Sequence, residues 1–209
     1  GKLVRAADGV ETTVDVGASG SALFDPSGAT VFYVAGGALK HAAVPVPTPS
    51  TLVASGCTEV RALSPDGAQL VFAKGADLYL LPLTTQGPPS QVWSGAQGTA
   101  AHVSFTIDST YLLVGAPGEL AYPGYKAIPV RGGAPVAFAA SAQAVVPLHA
   151  ASVLLYDLGG ALRIVDLSGQ NADREVWAHA SGFAVSKDRR KLVYVADKTG
   201  APGLYVVLT

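Results

Sequence analysis

The residues of this 209-residue chain that could do chemistry are few and scattered. Glu59, Asp77 and Glu119 are of the type a glycoside hydrolase uses, one carboxyl as acid and another as base. Glu59 with His102 and His179 has the donor types of a His/His/carboxylate zinc site. No His-x-x-x-His or Cys/His spacing supports that set, and His41 and His149 stand apart from it. No Gly-x-Ser-x-Gly elbow presents a serine nucleophile, and no glycine-rich loop has phosphate-binding spacing. Cys57 is the only cysteine, so no intrachain disulfide forms, and it reads as a buried thiol. The bland account covers the rest: loop carboxylates are solvated turn residues and lone histidines are loop or core residues. No catalytic set, metal or cofactor is expected. Two tyrosines, Tyr122 and Tyr125, lie in the irregular stretch Ala121-Tyr122-Pro123-Gly124-Tyr125-Lys126. They read either as exposed anchors for a protein partner or as rings packed on their own sheet.

The elements that must position these residues follow from composition and periodicity. Hydrophobic residues make up 49% and charged residues 14%, which excludes a disordered chain. The formal net charge is -1 and no Lys/Arg cluster occurs, which argues against nucleic-acid binding. No apolar run approaches the roughly 20 residues of a membrane span. The chain contains no Met and begins at Gly1, which suggests a processed product or one domain of a longer protein.

A repeat dominates the sequence. A short apolar run, a tight Gly-containing loop and a leucine opening a second run recur, with the leucines at 39, 78, 120, 162 and 204. Ahead of each pair, four copies carry a turn: Asp25-Pro26-Ser27-Gly28, Ser64-Pro65-Asp66-Gly67, Thr106-Ile107-Asp108-Ser109 and Ser186-Lys187-Asp188-Arg189. Pro presets φ, Asp bonds back to the main chain and Gly accepts positive φ. The remaining copy, around Leu148-His149-Ala150-Ala151, has lost these residues. After each second run comes one more short strand, as in Gln91-Val92-Trp93 and Arg174-Glu175-Val176-Trp177. No helical period spans a long window. Four short strands in a unit of about 42 residues, repeated, predict an all-β chain built as a β-propeller.

Leu63-Ser64-Pro65-Asp66-Gly67-Ala68-Gln69-Leu70-Val71-Phe72, continued by Leu78-Tyr79-Leu80, resembles the TolB-like (WD40-like) propeller repeat. So does Val185–Asp188 with Lys191-Leu192-Val193-Tyr194 and Gly203-Leu204-Tyr205-Val206. The resemblance covers nearly the whole chain. It implies four-stranded antiparallel blades, with Ser-Pro-Asp-Gly turning from the first strand to the second. It also implies a bacterial exported setting, periplasmic or at the cell surface. The Trp-Asp pair of the WD repeat proper is absent, as is the paired-glycine register of kelch repeats.

The expected organisation is a single propeller domain over 1–209. Its units start near 21, 59, 101 and 143, and a composite blade comes from 182–209 plus 1–16. Five blades closed by pairing of the N- and C-terminal strands leave one strand surplus. The alternative is an open piece of a six- to eight-bladed parent. In this register Glu59, His102 and His179 fall on loops between blades, and Asp77 and Glu119 on loops between second and third strands. Together these loops form one rim of the central channel. The resulting expectation is a non-catalytic propeller that binds a protein partner. A carbohydrate or small-ligand module at the channel mouth is the runner-up, and a glycosidase comes third.

Overall fold

Short runs of β-branched and aromatic residues, interrupted by Gly, Pro, Asp and Ser, give strands and tight turns. The computed structural model describes residues 2–7, 10–44, 48–85, 87–95, 100, 102–115, 124–138, 142–149, 151–157, 160–169, 174–198 and 201–208. Among them there is no α-helix, and every sheet is antiparallel. The chain forms two compact units, Gly1–Thr99 and Ala100–Thr209.

The first unit opens with a hairpin of β1 (Lys2–Ala7) and β2 (Val10–Val16). A four-stranded sheet follows, from β3 (Ala18–Phe24), β4 (Thr30–Ala35), β5 (Ala38–Ala43) and β6 (Ser50–Val53). The next sheet contains β7 (Glu59–Leu63), β8 (Gln69–Lys74), β9 (Asp77–Pro82) and β10 (Ser90–Trp93). The second unit begins with β11 (His102–Phe105), β12 (Tyr111–Gly115), β13 (Tyr125–Pro129) and β14 (Val136–Ala137). Then come β15 (Ala142–Pro147), β16 (Ser152–Asp157), β17 (Leu162–Asp166) and β18 (Arg174–Trp177). The three-stranded sheet of β19 (Ala180–Val185), β20 (Lys191–Lys198) and β21 (Ala201–Leu208) ends the unit. In each sheet successive strands pair in sequence order, the four-strand meander that the repeat predicts.

Two expectations are corrected. In the last copy Tyr194 lies ten residues before Leu204, a spacing that predicts a loop lengthened by Lys198-Thr199-Gly200-Ala201-Pro202, but β20 and β21 stay paired out to Lys198 opposite Ala201. The regular spacing put the opening leucine of the third copy at Leu120, which lies outside the described residues. The register puts Tyr125 there instead. Val114 pairs with Lys126 as Tyr33 pairs with Lys40, so Tyr125 occupies the place of Leu39. Insertion between second and third strands displaced the aromatic from the leucine spacing.

Apolar sheet faces pack on one another within each unit. In the first, Phe32, Val34 and Leu39 meet Val60, Leu70, Phe72 and Leu81, with Cys57 among them. The other face of the first blade, with Val31, Tyr33, Ala35 and Ala42, packs on Val14 of β2. In the second unit one cluster joins Leu113, Tyr125 and Ala127 to Val145, Val153 and Leu155. Another joins Leu154 and Leu162 to Leu192 and Tyr194. The large apolar residue at the start of the third strand is an anchor in four sheets: Leu39 is 0% exposed, Leu78 3%, Tyr125 3% and Leu162 0%. Its counterpart on the last sheet, Leu204, is 68% exposed, beside exposed Val195 and Val206.

The turns between first and second strands share one hydrogen-bond plan. Ser64 Oγ donates to Asp66 Oδ1 (2.5 Å) and accepts the Gln69 N–H (2.9 Å), while the Ala68 N–H reaches Asp66 Oδ1 (3.0 Å). Thr106 with Asp108, and Ser186 with Asp188, repeat the plan. The fourth position is left-handed in all four turns. Gly28 (φ 73°) and Gly67 (φ 71°) fill it in two, but Ser109 (φ 62°) and Arg189 (φ 61°) hold the same conformation. The side-chain bonds therefore impose the turn even where glycine is missing.

Candidate functional site

The sequence-predicted site residues are mostly committed to structure. Glu59 opens β7. Its carboxylate pairs with Arg61 (3.1 Å), and Ser21 Oγ lies 3.5 Å from its other oxygen. Ser21 Oγ also donates to the Val60 carbonyl at 2.6 Å, which fastens β3 to β7. Asp77 opens β9, and its Oδ1 accepts the Gly95 N–H at 2.6 Å. That bond ties the exit of β10 to the start of β9. The Lys74 ammonium, across the hairpin from Asp77, rests 5.4 Å from the Tyr79 ring.

His102, Gly115 and Tyr125 form one row across β11, β12 and β13. Gly115 leaves room for the tyrosine: a Cβ there would lie 2.7 Å from Tyr125 Cδ1 and 2.8 Å from its Cα. The Tyr125 ring thus lies over bare backbone, and His102 meets its edge at 5.6 Å and 65°. Tyr125 Oη donates to the Gln143 carbonyl at 3.1 Å, and His102 Nε2 shares a hydrogen bond with Ser104 Oγ at 2.8 Å. Burial pushes the Tyr125 phenol up and the His102 imidazole down, so the imidazole is neutral at physiological pH. Of the two readings of Tyr125, exposed anchor or packed ring, the structure has the packed ring. It is a core residue, because the glycine opposite it admits a ring where other copies hold a leucine.

His179 is exposed just before β19. Glu119 and Tyr122 lie outside the described residues. Among the described residues no three His, Cys, Asp or Glu side chains gather into a set that could hold a metal.

A concave site that the sequence reading missed lies in the first unit, on the turn side of its blades. It is a groove of about 560 Å³ between the two four-stranded sheets. Asp25, Phe32, His41 and Leu52 come from the first sheet, and Asp66 and Leu83 from the second. Phe32 and His41 are a cross-strand pair whose rings stack at 6.2 Å. Asp25 Oδ1 accepts the Thr30 N–H (2.8 Å) and Oδ2 accepts Ser27 Oγ (2.5 Å). The Ser27 hydroxyl and then the Thr30 amide hold the Asp25 carboxyl below its usual range, so it is ionised at neutral pH. The signal in the sequence was the order of residues in the turn: Asp25…Ser27 against Ser64…Asp66.

No protein-family model matches the chain, and no curated protein sequence matches it. Solved structures do. TolB from Acinetobacter baumannii superposes with a TM-score of 0.50 at 14% identity, over 99% of this chain and 57% of that one. The β-propeller domain of Cps50 (Swd1) from Myceliophteria thermophila gives 0.53 at 12% identity, over 88% of this chain and 64% of that one. Dihydro-heme d1 dehydrogenase NirN gives 0.53 at 13% identity, over 91% of this chain and 45% of that one. The chain thus spans about half to two thirds of the structures it resembles. At these identities the likeness is one of fold.

Proposed function

We propose that this chain, which has the TolB-like, WD40-like β-propeller fold, is a non-catalytic module that binds another protein. The observation that carries this reading is how the reactive side chains are used. Glu59 is paired to Arg61, Asp77 holds Gly95, and His102 and Tyr125 are packed together across Gly115. A general acid or base needs access to substrate and a tuned partner. These groups instead stabilise strand ends and sheet rows, leaving loops and blade edges as the surface that distinguishes one propeller from another. An exported setting, in the periplasm or at the cell surface, accompanies the reading through the likeness to TolB.

The test is affinity capture from an envelope extract of the source organism, with a propeller of unrelated surface as control. The captured protein is then purified and titrated by calorimetry. A saturable 1:1 association, absent with the control, is the expected result. No specific partner, or a partner held equally by the control, overturns the reading. Turnover of a glycoside or ester panel that is lost in Glu59→Gln would replace it with an enzyme.

A further inference from the structure

The last sheet departs from the repeat at its outer edge. Four sheets carry a fourth strand (β6, β10, β14 or β18), but the sheet of β19–β21 has three, and among the described residues no strand pairs with the other side of β21. β21 spans eight residues, Ala201–Leu208, pairs with β20 without a register shift and contains no charged residue. The third strands of the other four sheets are five or six residues long, and each carries a charge: Lys40, Asp77, Lys126 and Arg163. An open strand edge is a template for another chain, and proteins that leave one open shorten it, charge it or break it. Pro202 interrupts only the start of β21. The face beside the edge is apolar and exposed at Leu204 and Val206, with exposed Val195 opposite Leu204.

The sibling sheets define what such an edge accepts. Val53 of β6, Trp93 of β10 and Trp177 of β18 lie opposite the leucine at the start of the third strand: Leu39, Leu78 and Leu162. Immediately beyond that pair the register shifts in all three sheets. The next two pairs belong to polar residues of the fourth strand: Ser50-Thr51, Ser90-Gln91 and Arg174-Glu175. Residues directly opposite one another share a face of the sheet, so the terminal Val or Trp lies beside the leucine. Leu204 holds the leucine's place on β21 and is uncovered. We propose that β21 takes up an extended segment of the partner polypeptide as a fourth strand, antiparallel, with two polar residues leading to a large apolar side chain opposite Leu204. Main-chain bonds to β21 give the affinity, and cover of Leu204 and Val206 gives the selectivity. This inference rests on the protein-binding reading and adds the conformation and register of the partner.

The experiment titrates the ¹⁵N-labelled full chain with acetyl-Arg-Glu-Val-Trp-Ala-amide, which copies β18 and the residue after it. NMR follows the amides of β21 and their hydrogen exchange. The amides that point away from β20 should exchange fast in the free chain, and the peptide should protect them with saturable shifts. No saturable shift in β21 overturns the proposal, as does protection already present in the free chain, since the edge is then covered. Two peptides N-methylated on alternate residues run alongside. An added strand pairs through one edge only, so one of them should bind at least about tenfold more weakly than the other. Equal binding by the two, strong or weak, overturns strand addition. The double variant Leu204→Lys/Val206→Lys changes exposed positions, so it should keep the fold. It should bind the parent peptide at least about tenfold more weakly, and unchanged binding overturns the proposal. A dimer by light scattering that the double variant dissociates would put a second copy on the edge and overturns the choice of partner. The two readings fail separately. A captured protein that binds the double variant as tightly as the native chain ends the edge proposal alone. Normal peptide binding with no protein captured ends the partner reading alone.

Discussion

Substituting Gly115 tests whether His102 and Tyr125 are structural. A Cβ at this position would lie 2.7–2.8 Å from Tyr125, and one of the atoms met is the tyrosine Cα, which cannot swing aside. Gly115→Ala must therefore push β12 from β13 or eject the ring. Overpacking of this kind costs about 1–3 kcal/mol. For a chain of this size, 1 kcal/mol moves Tm by about 2–4 °C, so the expected fall is about 2–12 °C. Gly182→Ala is the matched control: a Cβ there meets nothing within 4 Å and the residue has no positive φ, so Tm should stay within about 2 °C. Differential scanning calorimetry reads both. Displacement of the ring also exposes His102, so its imidazole should titrate closer to its ordinary pKa in Gly115→Ala by NMR. Tyr125→Ala should cost about 3–5 kcal/mol, whereas an exposed anchor would cost almost nothing. If Gly115→Ala melts like Gly182→Ala, or Tyr125→Ala leaves stability intact, the packed row is wrong and Tyr125 returns as a surface residue.

The repeat's anchor position should respond according to burial. Leu39→Ala should cost about 2–5 kcal/mol in denaturant unfolding and Leu204→Ala less than about 0.5 kcal/mol; an equal cost would mean that the outer face of β21 is covered. His102 imposes a pH dependence whose sign is fixed by its lowered pKa. The unfolded chain binds the proton first, so stability is full above about pH 6.5 and falls as pH drops toward the folded value. His102→Gln should flatten that slope, and an unchanged slope would assign it elsewhere. Tyr33 carries a phenol pushed up to about 12, first by burial and then by its bond to Asp15 (3.1 Å), a carboxylate that also pairs with Lys40 (2.8 Å). Asp15→Asn should lower the Tyr33 midpoint in an alkaline absorbance titration without bringing it to 10, because burial remains; no change would break the link between β2 and the first blade.

The fold was legible because a repeat reports itself several times. One copy of Ser-Pro-Asp-Gly is a weak sign of a turn, but four turns at one offset from an apolar pair define a sheet. Cys57 was readable as a buried thiol for a different reason: a cysteine with no partner packs as a small hydrophobe. The place of Tyr125 in the repeat was not readable because spacing was taken as rigid. The stretch between β12 and β13 is longer, and the leucine at the expected offset is not the residue in register. The clue was Gly115 at the end of an otherwise bulky apolar run, a small residue that makes sense only opposite a large one. His102 looked like a rim ligand because sequence gives the strand end but not the side chain's company, here a tyrosine edge and Ser104.

In a repeat protein the residues shared by all copies are the ones the blade itself demands, so they say little about what distinguishes this propeller from another. The useful positions are those where one copy departs from the rest while its own structure still closes. Gly115 opposite Tyr125 is a departure explained within its sheet, since the lost side chain opposite is replaced by a ring that is itself buried. The exchange of Asp25 and Ser27 is likewise absorbed within its turn. The inner carboxylate accepts the Thr30 amide as the inner Ser64 hydroxyl accepts the Gln69 amide, and the Ser27 hydroxyl donates to it. Restoring the common order with Asp25→Ser/Ser27→Asp should therefore leave the melting temperature within about 2 °C. A larger loss of Tm would show that the inner aspartate serves this turn in a way the hydroxyl does not in the others.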